Sequence, residues 1–525
     1  MRLAPFASRY AGSAMVCAVD HLAAEAGVEM LRRGGSAVDA AVAASAVLAV
    51  TTQHMCGMGG DLFALVHEEG APPVALNASG RAGSGADPER LRAEGHLFMP
   101  PHGDIRSVPV PGCVDGWLAL HSRFGQLALA EVLGAARLYA ADGFAASPTL
   151  ASAAGSVASL PGGQDFKAAT HPGAIVCRPG VARTLEAVAA RGREGFYGGE
   201  FGEGLLGLGA GEYVEDDLAT KCANWVTPLS VGAYGAEIWS TPPNSQGYLT
   251  LAATWIAAGL PLPDDTADPL WAHLTIEAAR QASYDRTAEL HEGADGERLV
   301  SKARLAGRRE AISVDRAASL PDQFSDGGTI YLCAVDKDRM AVSLIQSNAG
   351  GFGAAIAERR TGIFLQNRGV GFSLEAGHPA EYGPRRRPPH TLSPALVTSA
   401  GDRLQAVLGT MGGDTQPQIL LQLLCRVLRS RETIGDAISA PRWVLSNVLD
   451  DGGFRTWVAG ADVQVELESM SPSGWAGGLR ALGHRVVEHL DPGHGFGHAQ
   501  MIACRDGYLE GASDPRSLAG SAAGY

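Results

Sequence analysis

Residues 326–353, DGGTIYLCAVDKDRMAVSLIQSNAGGFG, decide how this 525-residue chain reads. Gly327-Gly328 precede Thr329, and an alternating apolar run follows through Tyr331, Cys333 and Val335. Asp336-Lys337-Asp338 then predicts a hairpin turn into a second strand over 341–345. Thr329 therefore stands at the mouth of a strand, just after flexible residues. Two readings follow. Thr329 is an ordinary β-branched strand residue, or the chain cuts itself before Thr329, which then works as an N-terminal nucleophile.

Outward from the hairpin, residues 288–328 are polar with Gly-, Asp- and Ser-rich ends, the pattern of an exposed tail leading to a cut. Upstream, helical spacing predicts helices over 21–33 and 37–50, the second N-capped by Ser36, with further helices over 109–124, 127–144 and 270–287. His54-Met55-Cys56-Gly57-Met58-Gly59-Gly60-Asp61 feeds a strand over 62–67. This loop lacks the Gly-Lys-Ser/Thr ending of a phosphate cradle, so close backbone packing beside a site suits it better. Arg81 follows a short strand at 74–76; as a fork for a carboxylate it would bind in bidentate fashion. Downstream, 362–366 reads as a strand, and 374–390 holds four prolines and Arg385-Arg386-Arg387. A strand over 404–408 ends in Gly409-Thr410-Met411-Gly412-Gly413-Asp414 before a helix over 418–429. Such a turn aims backbone N–H groups at one point, which makes either an oxyanion site or simply a tight turn. From Trp443 onward, short strands alternate with one helix.

Composition narrows the class. Hydrophobic residues make up 46% and charged residues 19%, ordinary for a globular enzyme. The net charge of −14, without long charged runs, argues against nucleic acid or an anionic membrane as partner and suits a small-molecule substrate. Eight scattered cysteines form no CxxC pair, so neither a zinc site nor a disulfide framework is read. No signal-like apolar region follows Arg2, and the longest apolar stretch, 38–50, is too short to span a bilayer. The expectation is a cytoplasmic protein.

Taken in order, these pieces resemble the γ-glutamyltransferase (γ-glutamyltranspeptidase) family of N-terminal-nucleophile hydrolases across nearly the whole chain. His21…Glu25-Ala26-Gly27 with Gly34-Gly35-Ser36-Ala37-Val38-Asp39 looks like its opening signature. Pro242-Pro243-Asn244-Ser245-Gln246-Gly247, His273…Glu277-Ala278 with Asp285-Arg286, and the run 511–516 look like later ones. The resemblance implies an α+β fold, a four-layer αββα sandwich. It also implies cleavage of the Gly328–Thr329 bond, giving portions 1–328 and 329–525 that stay associated as one intertwined unit, with pairing of two such units as a further expectation. A threonine hydroxyl needs a base within reach, and cleavage frees Thr329's own α-amine, whose pKa near 8 suits that task. No metal or organic cofactor is required.

By position, Ser347 matches a second hydroxyl beside the nucleophile, and Gly412 and Gly413 match the oxyanion glycines. Arg81 lies near the family's carboxylate-binding arginine, and His390 and Thr391 replace paired serines that contact the substrate. The family's amine-reading aspartate aligns with Gly371, and its nearby asparagine with Ala349, leaving Asn348 beside it. Without that carboxylate, Arg81, Arg368 and His390 suggest a site rich in positive donors. The pattern resembles a subgroup that includes oxamate amidohydrolases and glutathione-hydrolase-like enzymes. The expected function is hydrolysis of a small acidic amide, oxalyl- or dicarboxyl-type, through a threonyl ester. The rivals are γ-glutamyl hydrolysis or transfer, carbon–carbon hydrolysis in specialised metabolism, and an uncut, inactive binding protein.

Overall fold

The computed structural model describes residues 8–320, 328–399, 402–447, 463–490 and 494–525. The central hairpin forms as read, from Gly328–Val335 and Ala341–Ala349. Its turn is held by Asp336, whose Oδ1 accepts from the N–H groups of Asp338 and Met340, both at 3.0 Å. The other carboxylate oxygen accepts from Ala37 N–H at 2.9 Å and so docks the hairpin on a helix start.

That hairpin is the middle of a seven-stranded sheet ordered Ser521–Gly524, Met15–Ala18, Gly328–Val335, Ala341–Ala349, Asp61–His67, Val74–Ala78 and Asn224–Val226. A second seven-stranded sheet runs Arg9–Ala11, Tyr508–Ser513, Ala499–Arg505, Leu404–Thr410, Ala395–Thr398, Ala236–Ser240 and Leu229–Ala233. The ladders in both are antiparallel.

Strand alternation explains the layers. Tyr331, Cys333, Val335 and Ile345 meet Val407 and Ile502 of the other sheet. Ile330, Leu332, Val342 and Leu344 face the opposite way, against the helices His21–Arg32 and Ala37–Thr51. On the far side, Leu408 and Met501 pack against the helices Gly247–Ala258 and Gln416–Leu424. The result is the expected four-layer αββα sandwich. All of Ala37–Thr51 is buried. Its small side chains fit a helix enclosed on every side, and Ser36 caps it through a reciprocal pair with Asp39. Among the described residues, no helix is long and apolar enough to cross a membrane.

Several expected elements are corrected. Residues 362–366 form no strand, only an isolated bridge between Ala357 and Phe364. The helix read over 109–124 is Cys113–Phe124, and that over 127–144 breaks into Leu129–Val132 and Gly134–Asp142 at Leu133. The stretch 288–320 is no loose tail. It carries the helices Gly296–Leu299 and Lys302–Glu310, and its end is tied back by Arg280 Nη1, which donates to Ala318 O at 2.7 Å. Its polarity reflects charged helix faces. The final approach to the Gly328–Thr329 bond, 321–327, lies outside the described residues.

Candidate active site

Thr329 and Ser347 lie at one end of the inter-sheet layer, both fully buried. A bulge between Gly328 and Ile330 brings Gly328 opposite Ala349 and crowds the two hydroxyls together. Thr329 Oγ1 lies 3.2 Å from Ser347 Oγ and 2.7 Å from Gly328 O, the carbonyl oxygen of the bond expected to be cut. Ser347 Oγ accepts from Ala349 N–H at 2.8 Å and from Arg368 Nη2 at 3.3 Å. With its lone pairs so occupied, its proton points to Gly328 O at 2.6 Å. One carbonyl oxygen thus receives two hydroxyl donors, which polarises that peptide bond.

Arg368 joins the next residues. Its Nη1 donates to Thr391 Oγ1 at 3.0 Å, and Nε has no partner among the described residues. Burial pulls its pKa down to about 10, against the opposing pull of Asp61 and Asp414, so the guanidinium stays charged at neutral pH. A buried, charged donor with a spare N–H is a ready anion holder.

His390 is placed beside this group but with a different character. Leu392 N–H donates to its Nδ1 at 3.3 Å, so Nε2 carries the proton and donates to Asp61 Oδ2 at 3.1 Å. Burial, reinforced by Arg368, drives its pKa down to about 3. The expectation of a third positive donor is therefore corrected: His390 is neutral and packs edge-on to Phe63. Asp61, directly opposite Ser347 in the sheet, also accepts from Gly80 N–H, Gly112 N–H and Gln366 Nε2. It ties four loops to the site strand. Read only as the end of a glycine-rich loop, it carried no such signal. That loop does pack backbone to backbone, as expected: a Cβ on Gly60 would stand 2.2 Å from Ser347 O.

Gly412 and Gly413 lie beyond the strand Leu404–Thr410, with φ of 135° and 56° that favour glycine. Two contacts fix the turn. Gln246 Nε2 donates to both Gly413 O and Thr391 O at 2.9 Å. Asp414 pairs with buried Arg286 at 2.6 Å. Gln246 and Arg286 sit in stretches quoted above, Pro242 to Gly247 and Asp285-Arg286, yet their targets lie far away in sequence.

Two expected contact residues stand apart. Asn348 follows Ser347 on a strand, so its side chain faces the helices, where Nδ2 donates to Gln53 O at 3.0 Å. Arg81 is half-buried, with Nη1 2.7 Å from Glu292 Oε1 and donating to Arg385 O at 2.9 Å. Its fork is already engaged by a carboxylate of this chain. Gly371 shows why the aligned aspartate is absent: a Cβ there would lie 2.6 Å from Pro389 O, leaving no room for any side chain.

Residues 23–525 match the family model described as Gamma-glutamyltranspeptidase. The oxamate amidohydrolase proenzyme of Klebsiella pneumoniae is 34% identical, over 97% of this chain and 98% of that one. A glutathione hydrolase-like proenzyme of Bacillus subtilis is also 34% identical, over 96% and 97%. Among solved structures, the cephalosporin acylase of Bacillus halodurans superposes with a TM-score of 0.89 at 31% identity, covering 99% of this chain and 97% of that one.

Proposed function

Since the chain belongs to the gamma-glutamyltranspeptidase family, we propose that it is an autoprocessed amidohydrolase, with Thr329 as nucleophile, acting on a small oxalyl- or dicarboxyl-type amide whose acyl portion carries a carboxylate and no ammonium group. In the precursor, Thr329 Oγ attacks the carbonyl carbon of Gly328 while Ser347 donates to the developing oxyanion. The C–N bond gives way to an ester, and water hydrolyses it, leaving a carboxylate on Gly328 and a free amine on Thr329. That amine then takes the hydroxyl proton when Thr329 attacks substrate. The N–H groups of Gly412 and Gly413 receive the new oxyanion, the proton passes to the departing amine, and water hydrolyses the acyl-threonine.

The observation that carries the substrate class is Arg368, a buried cation bonded to Ser347 with a spare N–H. The two carboxylates that act on it are committed elsewhere, Asp61 to His390 and backbone amides and Asp414 to Arg286. With Gly371 packed against Pro389 O, a substrate ammonium group lacks the partner that the family alignment would supply. The names of the relatives agree with amide cleavage in a proenzyme. The test is hydrolysis of oxamate and of a γ-glutamyl anilide by the same preparation. Preference for oxamate is expected; preference for the anilide overturns the substrate class while leaving Thr329 its role.

A further inference from the structure

We infer that His273, Glu277 and His484 form a binding site for a zinc-class divalent cation that bridges the two halves of the chain. His273 and Glu277 stand four residues apart on the helix Pro269–Ser283, hence on one face, and both are fully buried. His484 comes from the turn between the helix Ser473–Ala481 and the strand Val486–Glu488, and is buried against them. The ligand atoms of all three lie within 4.8 Å of one another. His484 lies 211 positions from His273 and 207 from Glu277, so no short-range ligand spacing announces the site in the sequence.

The hydrogen bonding arranges the rings as a metal site requires. His273 Nε2–H donates to Ser313 O at 2.8 Å, which leaves the Nδ1 lone pair turned toward His484 Nε2, 2.7 Å away. Metal-bound imidazoles commonly have their far N–H held by a backbone carbonyl in this way. Glu277 supplies the negative charge. Its Oε2 accepts from Ala318 N–H at 3.1 Å, and Arg280 flanks its Oε1 at 3.4 Å. Without metal, the His484 Nε2 proton sits between the two nitrogens. Binding moves that proton to Nδ1 of the same ring, so no net proton is released. Tetrahedral Zn–N bonds of about 2.0–2.1 Å place two nitrogens roughly 3.3 Å apart, so the rings need part by only about 0.6 Å. Two imidazoles and a carboxylate, with a fourth position for water, match zinc or cobalt rather than magnesium or calcium.

The site lies outside the proposed catalytic groups and does not depend on the substrate reading. His273 and Glu277 precede Thr329 and His484 follows it, so after processing the cation would join one fragment to the other. Ala317 N–H, which donates to Leu482 O at 2.7 Å, already joins the same two portions of the chain.

The experiment uses tag-free, chelator-stripped full protein with Zn2+ and Co2+ as probes. One zinc per chain is expected, and Co2+ should show the intense visible absorption of a tetrahedral site. His484→Asn and Glu277→Gln should each weaken uptake by about 10-fold or more while hydrolysis by Thr329 continues. Absence of stoichiometric zinc in the wild type, or unchanged uptake by folded His484→Asn, overturns the proposal. Should the variants not fold, the Co2+ spectrum of the wild type decides alone. A featureless or octahedral spectrum counts against the site.

Discussion

Arg368 and His390 show how far two neighbouring basic side chains diverge once buried together. Each is enclosed, but only Arg368 keeps its charge, because burial leaves its pKa near 10 while that of His390 falls to about 3. Replacing Arg368 with leucine should therefore raise KM for the acidic amide by about one to two decades, the loss of a charge-assisted bond of about 1.5–3 kcal/mol. Initial-rate kinetics against a neutral amide of similar size are the control, and equal losses on both would deny Arg368 a carboxylate. His390 predicts a stability effect. Its folded pKa lies below the unfolded value near 6.5, so between those values the unfolded chain binds a proton that the folded chain refuses. Its contribution is complete above pH 6.5 and declines as pH falls, by about 1.4 kcal/mol per unit. Measured by urea unfolding in an uncut Thr329→Ala background, the loss between pH 7 and pH 5 should be smaller in His390→Asn by about 2 kcal/mol. The sequence exposed both residues as candidates because their motifs align with the family. It gave no view of their charge states, which depend on burial among groups from four separate segments.

Among the elements, the hairpin is the most legible, because alternation and an Asp-rich turn place Thr329 at its mouth. Ser347 lies two residues beyond the strand read over 341–345 and is pointed to only by the family resemblance, whereas the strand runs on to Ala349. The same alternation turns Asn348 toward the helices, and no local feature of the sequence announces that Arg81 pairs with Glu292. The Gly412-Gly413 turn is a different case. Its glycines are visible in sequence, but what holds them is not: Gln246 spans from Gly413 O to Thr391 O, and Arg286 clamps Asp414. If this turn supplies the oxyanion donors, its fixation matters more to the transition state than to substrate binding. Gln246→Leu should accordingly lower kcat by about 10²-fold, comparable to losing one such donor, with KM little changed. A variant that raises KM alone would assign Gln246 to substrate binding through Thr391 instead.

For the whole molecule, the position of the Gly328–Thr329 bond within the sheet governs what the proposed processing can do. The strand that begins at Gly328 pairs on one side with Met15–Ala18, from the upstream portion, and on the other with Ala341–Ala349. The second sheet is equally mixed, since Ala236–Ser240 lies beside Ala395–Thr398 and Arg9–Ala11 beside Tyr508–Ser513. Neither portion owns a complete sheet, so neither has a hydrophobic core to itself, and a cut at this bond would create two chains but not two domains. The wild type should run as fragments of 328 and 197 residues on a denaturing gel yet elute as one species in native size exclusion. Calorimetry should show a single cooperative transition, with no earlier melting of either fragment. Thr329→Ala should remain one band without turnover, which ties the cut to that hydroxyl. Fragments that separate under native conditions would contradict the shared sheets, and an alanine variant still cut at this bond would remove Thr329 from the processing chemistry.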